Sequence, residues 1–296
     1  MTLEGRVAII TGAGGGLGRQ HALFLARSGA AVVVNDVSQA AADGVAHEIE
    51  ASGGRAMAVA ASVTDDAAVR GLARRVTGEW GRIDILVNNA GILRDKSFGK
   101  MTLDAFREVV EVHLMGAVIC TQAVWETMRA QSYGRIVMTT SSSGLFGNFG
   151  QANYGAAKMA LVGLMQTLAI EGARYGIRVN CLAPTAATGM TAGVLPPESL
   201  ARLDPALVSP GLLALVGDAA PTRMILCAGA GHFATASIEL SQGRLVGGGN
   251  DAAARVVAGL DAIADRSGAI VPDRGFIQAE REVASATQAA PAAQGE

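Results

Sequence analysis

The chain is poor in cysteine, in aromatic residues and in charge, and each shortage closes off a class of function. Its three cysteines, Cys120, Cys181 and Cys227, sit in apolar runs with no CxxC spacing. That argues against a disulfide scaffold and predicts reduced core thiols. Lys and Arg (24) do not outnumber Asp and Glu (26), and no basic run is present, so no nucleic-acid partner is expected. No uninterrupted apolar stretch reaches the roughly 18 residues of a membrane span, and the start, MTLEGRVAIITG, lacks the apolar region of a secretion signal. The expected setting is cytoplasmic and membrane-free. His21, His47, His113 and His232 form no pair and no His/Asp cluster of metal-ligand spacing, so no metal is expected. Ser141 lies outside a GxSxG elbow, which speaks against nucleophilic hydrolysis.

Aliphatic residues and glycine are abundant. Half the chain is hydrophobic, only 4% is aromatic, and 38 residues are Gly, a balance suited to α/β folds whose strands are covered on both faces. Apolar runs predict strands at Val7–Ile10, Ala31–Asn35, Ala56–Ala60, Ile83–Asn88, Arg135–Thr139, Arg178–Cys181 and Met224–Ala228. Helical periodicity fills the intervals near Leu17–Ser28, Ala40–Ala51, Asp65–Gly78, Leu103–Ala130 and Ala152–Tyr175, and returns over Glu198–Val216 and Asp251–Ala264. Strict alternation implies a single doubly wound domain: a seven-stranded parallel sheet, helices on both faces, and a ligand crevice at the strands' carboxyl ends. The expected boundaries are a core over 1–232, an extension over 233–283 and a disordered tail over 284–296.

Two stretches carry chemistry. The first, Thr11-Gly12-Ala13-Gly14-Gly15-Gly16-Leu17-Gly18, joins the first strand to the first helix. Glycines there allow a backbone to approach a pyrophosphate, while a helix N-terminus offers N–H groups and a positive dipole end. Asp36, ending the second strand, suits hydrogen bonds from adenosine ribose hydroxyls and opposes a 2′-phosphate. With no cation at Gly15 or Val37 to reverse that preference, NAD is expected over NADP. A helix N-cap is the alternative role for Asp36. Asn89-Ala90-Gly91, after Asn88, suits the cofactor's path and a tie between strands, or is merely a turn. A backbone amide at Ser62-Val63 would reach the adenine edge.

The second stretch is SSSGLFGNFGQANYGAAK, Ser141 to Lys158. Tyr154 and Lys158, four apart, share one helical face, and Ser141 follows the buried strand at Arg135–Thr139. A hydroxyl, a phenol and an ammonium meeting at one point suit proton transfer to and from a carbonyl or alcohol oxygen. Each residue alone has an ordinary structural reading; their joint spacing points to function. A lone helical His such as His113 is more often a satisfied core or surface residue than a catalytic one. A dinucleotide-sensing protein without catalysis is the reading from another class, and the presence of both Tyr154 and Lys158 opposes it.

Taken in order, the glycine turn, Asp36, NNAG and the Ser141/Tyr154/Lys158 trio resemble the short-chain dehydrogenase/reductase family, across roughly residues 5 to 230. The segments Asn88–Phe98, Tyr133–Lys158 and Leu168–Ile177 resemble more narrowly the (3R)-hydroxyacyl-CoA dehydrogenase unit of peroxisomal multifunctional enzymes of type 2. The resemblance implies a Rossmann domain and an NAD-dependent interconversion of a secondary alcohol and a ketone, with a 3-hydroxyacyl-CoA as first substrate class and a hydroxysteroid or another secondary alcohol or ketone as the alternative. It also implies a homodimer or homotetramer, an extension that covers the site or joins subunits, and a nicotinamide path along Pro184 and Thr188. Tyr154 is then the acid/base, Lys158 favours its phenolate and binds the nicotinamide ribose, and Ser141 holds the substrate oxygen. His113 stands where the family commonly has Asn, and Pro184-Thr185 where Pro-Gly is common. The segment Thr191–Ser199 is expected to form a substrate lid. The ending AAQGE is no peroxisomal address, so a stand-alone bacterial-type enzyme is expected.

Overall fold

The computed structural model describes residues 2–189 and 196–289. Eight strands form one sheet: β1 (Val7–Thr11), β2 (Ala31–Asp36), β3 (Arg55–Ala60), β4 (Ile85–Asn88), β5 (Gly134–Thr139), β6 (Ile177–Thr185), β7 (Ile225–Gly229) and β8 (His232–Ala236). Their order is β3-β2-β1-β4-β5-β6-β7-β8. The first seven are parallel, as expected, and the reversal of order between β1 and β4 opens the crevice where such sheets bind ligands.

The strands read as apolar because each is covered on both faces. Val7 and Ile9 of β1 face one layer, built by α3 (Asp66–Trp80), α5 (Gly116–Gln131) and α7 (Ala152–Gly172). Ala8 and Ile10 face the other, built by α1 (Gly16–Arg27), α2 (Gln39–Ala51) and α9 (Ser209–Val216). This is the period-two alternation of a strand put to use on both sides.

Several boundaries differ from the sequence reading. The eighth strand is antiparallel to β7, with Gly229 opposite His232. The two residues between them, Ala230 (φ 50) and Gly231 (φ 74), both have the positive φ of a tight hairpin turn. The alanine hides that turn in the sequence. The compact core accordingly ends at Ala236, four residues beyond the expected boundary, and the remainder, from Ser237, forms a second unit. That unit holds α10 (Ala252–Ala258), α11 (Leu260–Ala264), α12 (Phe276–Ala289) and an antiparallel bridge between Leu240 and Ile270. Gly259 breaks the helix expected over Asp251–Ala264, and α12 runs into the stretch expected to be disordered. The helix expected over Glu198–Val216 is three pieces, α8 (Pro197–Leu200), a 3-10 turn (Pro205–Leu207) and α9, because Pro205 and Pro210 lack the N–H that continuity needs. Most of the lid segment, 191–195, lies outside the described residues.

Residues 103–131 form a continuous helix of 29 residues, long and apolar enough by length and composition to cross a bilayer. Reading apolar runs one at a time does not reveal it. In the fold it is a core helix, with Ala117, Cys120, Val124 and Met128 buried against the sheet. It comprises α4 (Leu103–Val110), a π turn over Glu111–Met115, and α5. Cys120 and Cys181 are buried and Cys227 half-buried; all three are free thiols.

Candidate active site

The β1–α1 turn is shaped by close approaches that a side chain would block. Gly12 has φ 61, and a Cβ there would lie 2.8 Å from Ala90 Cα. A Cβ on Gly18 would collide with the Gly12 carbonyl oxygen. Gly16, Leu17 and Gly18 open α1 ahead of its first intrahelical bond, from Arg19 N–H to the Gly15 carbonyl, so their amides face outward at the dipole's positive end. Asn89 ties the turn down: its Nδ2 donates to the Thr11 and Gly12 carbonyls at 2.9 and 3.1 Å. The backbone amides of Asn89 and Ala90 both donate to the Thr11 hydroxyl at 3.0 Å. Asn88, by contrast, turns inward to Thr121 Oγ1. The expected strand tie in this motif is therefore present, anchored by the Thr11 hydroxyl, to which the sequence alone assigned no role of its own.

Asp36 sits beside the turn. Its Oδ2 accepts from Gly14 N–H at 3.0 Å and its Oδ1 from Ser38 N–H at 3.1 Å. It is not the helix cap: Ser38 caps α2, accepting from Ala41 N–H. Ser62 and Val63 follow β3 on the same edge, where the Ala61 amide bonds the Asp36 carbonyl. The Ser62 hydroxyl pairs with Thr64 and Val63 is buried. Pro184 lies within β6, opposite Ala228. Thr188, beyond it, comes within 3.6 Å of where a Gly16 Cβ would stand, which brings the β6 loop over the start of α1. Glycine cradle, outward amides and the carboxylate beside them together fit a nicotinamide dinucleotide.

Ser141, Tyr154 and Lys158 converge at the same edge. Ser141 stands two residues beyond β5 and caps α6 (Ser142–Phe146), its Oγ accepting from Ser143 N–H at 3.2 Å. Its hydrogen bond to Tyr154 favours the phenolate, but burial and the Asp95 charge push the other way, and burial dominates, so Tyr154 is raised above its ordinary value. Lys158 is buried and lowered to about 7. Its Nζ donates to the Thr139 carbonyl at 2.6 Å and lies 5.5 Å from the Tyr154 ring centroid. The Lys158 ammonium is thus turned to a carbonyl, and burial weakens its hold on its proton. Close packing of α6 on α7 needs glycine: a Cβ on Gly144 would lie 2.8 Å from Lys158 Cβ.

His113 lies in the π turn, a form of local helix widening often found at functional sites. Its ring meets the Tyr154 ring edge-on at 5.2 Å, and its Nε2 contacts the backbone of Ile92. A Cβ on Gly91 would overlap the imidazole. Burial first, and the Lys158 charge second, lower His113 to about 3, so it is neutral. His113 Nδ1 and Asn88 Oδ1 are buried and have no hydrogen-bond partner among the described residues. Both residues line a small cavity that also touches Thr11, Val63, Ala117 and Lys158. Among the described residues, no group of three His, Cys, Asp or Glu is placed to hold a metal ion.

Comparison with known proteins agrees with this geometry. Residues 6–198 match the family model described as short chain dehydrogenase. A short-chain type dehydrogenase/reductase of Mycobacterium tuberculosis is 50% identical over 70% of this chain and 76% of its own length. The peroxisomal multifunctional enzyme type 2 of Drosophila melanogaster is 51% identical over 70% of this chain, which spans only 36% of that enzyme. The structure of that full-length enzyme superposes with a TM-score of 0.82 at 36% identity, covering 97% of this chain and 50% of the other. A solved 7α-hydroxysteroid dehydrogenase, complexed with NADH and 7-oxo glycochenodeoxycholic acid, matches with a TM-score of 0.72 at 32% identity, covering 78% and 95%. The chain belongs to the short-chain dehydrogenase family, nicotinamide-dinucleotide-dependent oxidoreductases that act on CH–OH groups.

Proposed function

We propose that the chain is an NAD-dependent dehydrogenase that interconverts a 3-hydroxyacyl-CoA and a 3-oxoacyl-CoA. The observation that carries this reading is the convergence of Ser141, Tyr154 and Lys158 at the edge that also bears the glycine turn and Asp36. Similarity to the multifunctional enzyme supports the acyl-CoA substrate. NAD is preferred because Asp36 faces the turn, and the one nearby guanidinium on α1, Arg19, is paired with Glu48. Bound here, NAD would take up or return the hydride of the reacting carbon.

Ser141 holds the substrate oxygen and shares its developing charge. Tyr154 takes the alcohol proton in oxidation and returns it in reduction. Its raised proton affinity keeps it protonated, the form that reduction needs, and oxidation requires Lys158 charged and turned toward it. The orphan Nδ1 of neutral His113, in the cavity beside Lys158, offers a proton an inward route. Ser62, Val63, Asn89, Ala90, Gly91, Pro184 and Thr188 complete the cofactor's path. The protein acts in the cytoplasm as a homodimer or homotetramer.

A steady-state screen tests the substrate, with (3R)-hydroxyacyl-CoA, hydroxysteroid and simple secondary alcohols offered with NAD and with NADP. Turnover of the acyl-CoA is expected; strong turnover of a bile-acid-like steroid alone would transfer the assignment to the hydroxysteroid reading, which the second structural likeness favours. Asp36→Ala is expected to narrow the preference for NAD by about tenfold, the scale of one hydrogen bond to a charged group. An unchanged preference would refute the role given to Asp36.

A further inference from the structure

Three segments meet at one side chain, that of Gln151. Its Oε1 accepts from the Ser143 hydroxyl at 2.7 Å and from Asn148 Nδ2 at 3.0 Å, while its Nε2 donates to Asp95 Oδ2 at 2.7 Å. Three of the four hydrogen-bonding positions of a primary amide are therefore in use. Ser143 in turn sends its backbone N–H to Ser141 Oγ. The Gln151 carbonyl accepts from Gly155 N–H at 2.7 Å and so starts α7, three residues before Tyr154. Although Gln151 occupies the N-cap position of α7, its side chain caps nothing. It reaches instead across the fold to Asp95.

The loop bearing Asp95 is held at two further points. Lys96 N–H donates to the Gly150 carbonyl at 2.9 Å, and the fully buried Asn153 donates from Nδ2 to the Arg94 carbonyl at 3.1 Å. Such ties are needed because Ser141 and Tyr154 stand on separate elements. The chain between them includes Gly147 and Gly150, both at φ 80, and an exposed Phe149. A turn so permissive cannot by itself fix one side chain against the other.

We propose that Gln151 is a positioning residue: clasped by Asp95, it fixes the Ser141 hydroxyl against the Tyr154 phenol. The inference rests on the reading of Ser141 and Tyr154 as the catalytic pair. The dinucleotide cradle is built from other residues, so loss of the clasp lowers kcat and leaves cofactor affinity alone.

The test uses Gln151→Leu, Asp95→Leu, their double variant and Asp95→Asn, in the full chain, on whichever alcohol the screen shows to be turned over. Each leucine variant is expected to lower kcat by about 100-fold, the scale of an ångström-sized misplacement, with NADH affinity and Tm unchanged. The double variant should be no worse than either single one, and Asp95→Asn, which keeps an acceptor for Gln151 Nε2, should recover most of kcat. Wild-type kcat in Gln151→Leu, additive losses in the double variant, or a joint fall of kcat, NADH affinity and Tm would each overturn the proposal. Tyr154→Phe separates the two levels. If it is inactive while Gln151→Leu is normal, only the clasp fails; if it turns over normally, the catalytic pair fails and the clasp with it.

Discussion

The two ends of the sheet both gather polar side chains, and they treat them in opposite ways. At the amino ends of the strands, the buried Asp84 carboxylate is held by Arg6, Arg82 and the Val7 amide. Arg135 donates to the carbonyls of Gly134, Gly176, Gly217 and Asp218. Both Arg6 and Arg135 lie over the Tyr133 ring, at 3.7 and 4.1 Å, and the Tyr133 hydroxyl bonds Asp218. At the carboxyl ends, Asn88 Oδ1, His113 Nδ1 and Thr139 Oγ1 are buried without partners among the described residues, and a buried lysine has lost much of its affinity for its proton. One end satisfies most of its polar groups, Arg129 Nε excepted; the other leaves several unsatisfied around the candidate site. That is the pattern expected where stability is given up for chemistry.

Substitutions at each end can break the comparison. The largest effect is expected from Lys158→Met. Activity should fall by about 10²- to 10⁴-fold, the range of a general acid–base contribution, while the cofactor-free protein becomes more stable because a buried cation is removed. A kinetic assay beside urea unfolding checks both signs, and lowered stability would contradict the contrast. Asp84→Ala should do the reverse. It is expected to remove about 3 kcal/mol of stability, since the Val7 amide loses its acceptor, Arg82 loses its carboxylate partner and Arg6 keeps only Asp218. The folded fraction should retain its kcat.

A smaller effect follows from pH. Burial lowers Lys158 from 10.5 to about 7. Below about pH 7 the lysine is protonated in folded and unfolded chains alike, and its unfavourable burial is felt in full. Between pH 7 and 10.5 only the unfolded chain holds the proton, so stability rises with pH through that window. Unfolding at pH 7 and 9.5 should show this rise in wild type and a flatter response in Lys158→Met. Smallest of all, Asp95→Asn removes a charge that raises Tyr154, so the acidic limb of the oxidation profile should move to lower pH.

What was legible in the sequence is what depends on short-range pattern. Strands such as Ala31–Asp36 announce themselves through consecutive buried Val residues, and the glycine turn through its place between a strand and a helix. Ser141, Tyr154 and Lys158 could be brought together because a strand end and a helical turn have known geometry. The π turn, the Asp95–Gln151 clasp and the upward shift of Tyr154 were not legible. The clasp joins residues 56 apart in the chain, the shift reflects burial that no local pattern records, and the π turn carries no residue signature of its own. The hairpin to β8 escaped for a different reason, since alanine rarely takes the positive φ that Ala230 adopts.

The π turn at Glu111–Met115 has one more consequence, for anyone who redesigns the long helix. An α-helix advances about 100° per residue, and the wider turn shifts the phase between α4 and α5. A single wheel drawn through residues 103–131 therefore mixes two different faces, and stabilising substitutions chosen from it would land on the wrong side of one half. Deleting one residue within the turn would restore an unbroken α-helix on paper, yet it would swing His113 away from Tyr154 while leaving every amino acid of the trio intact.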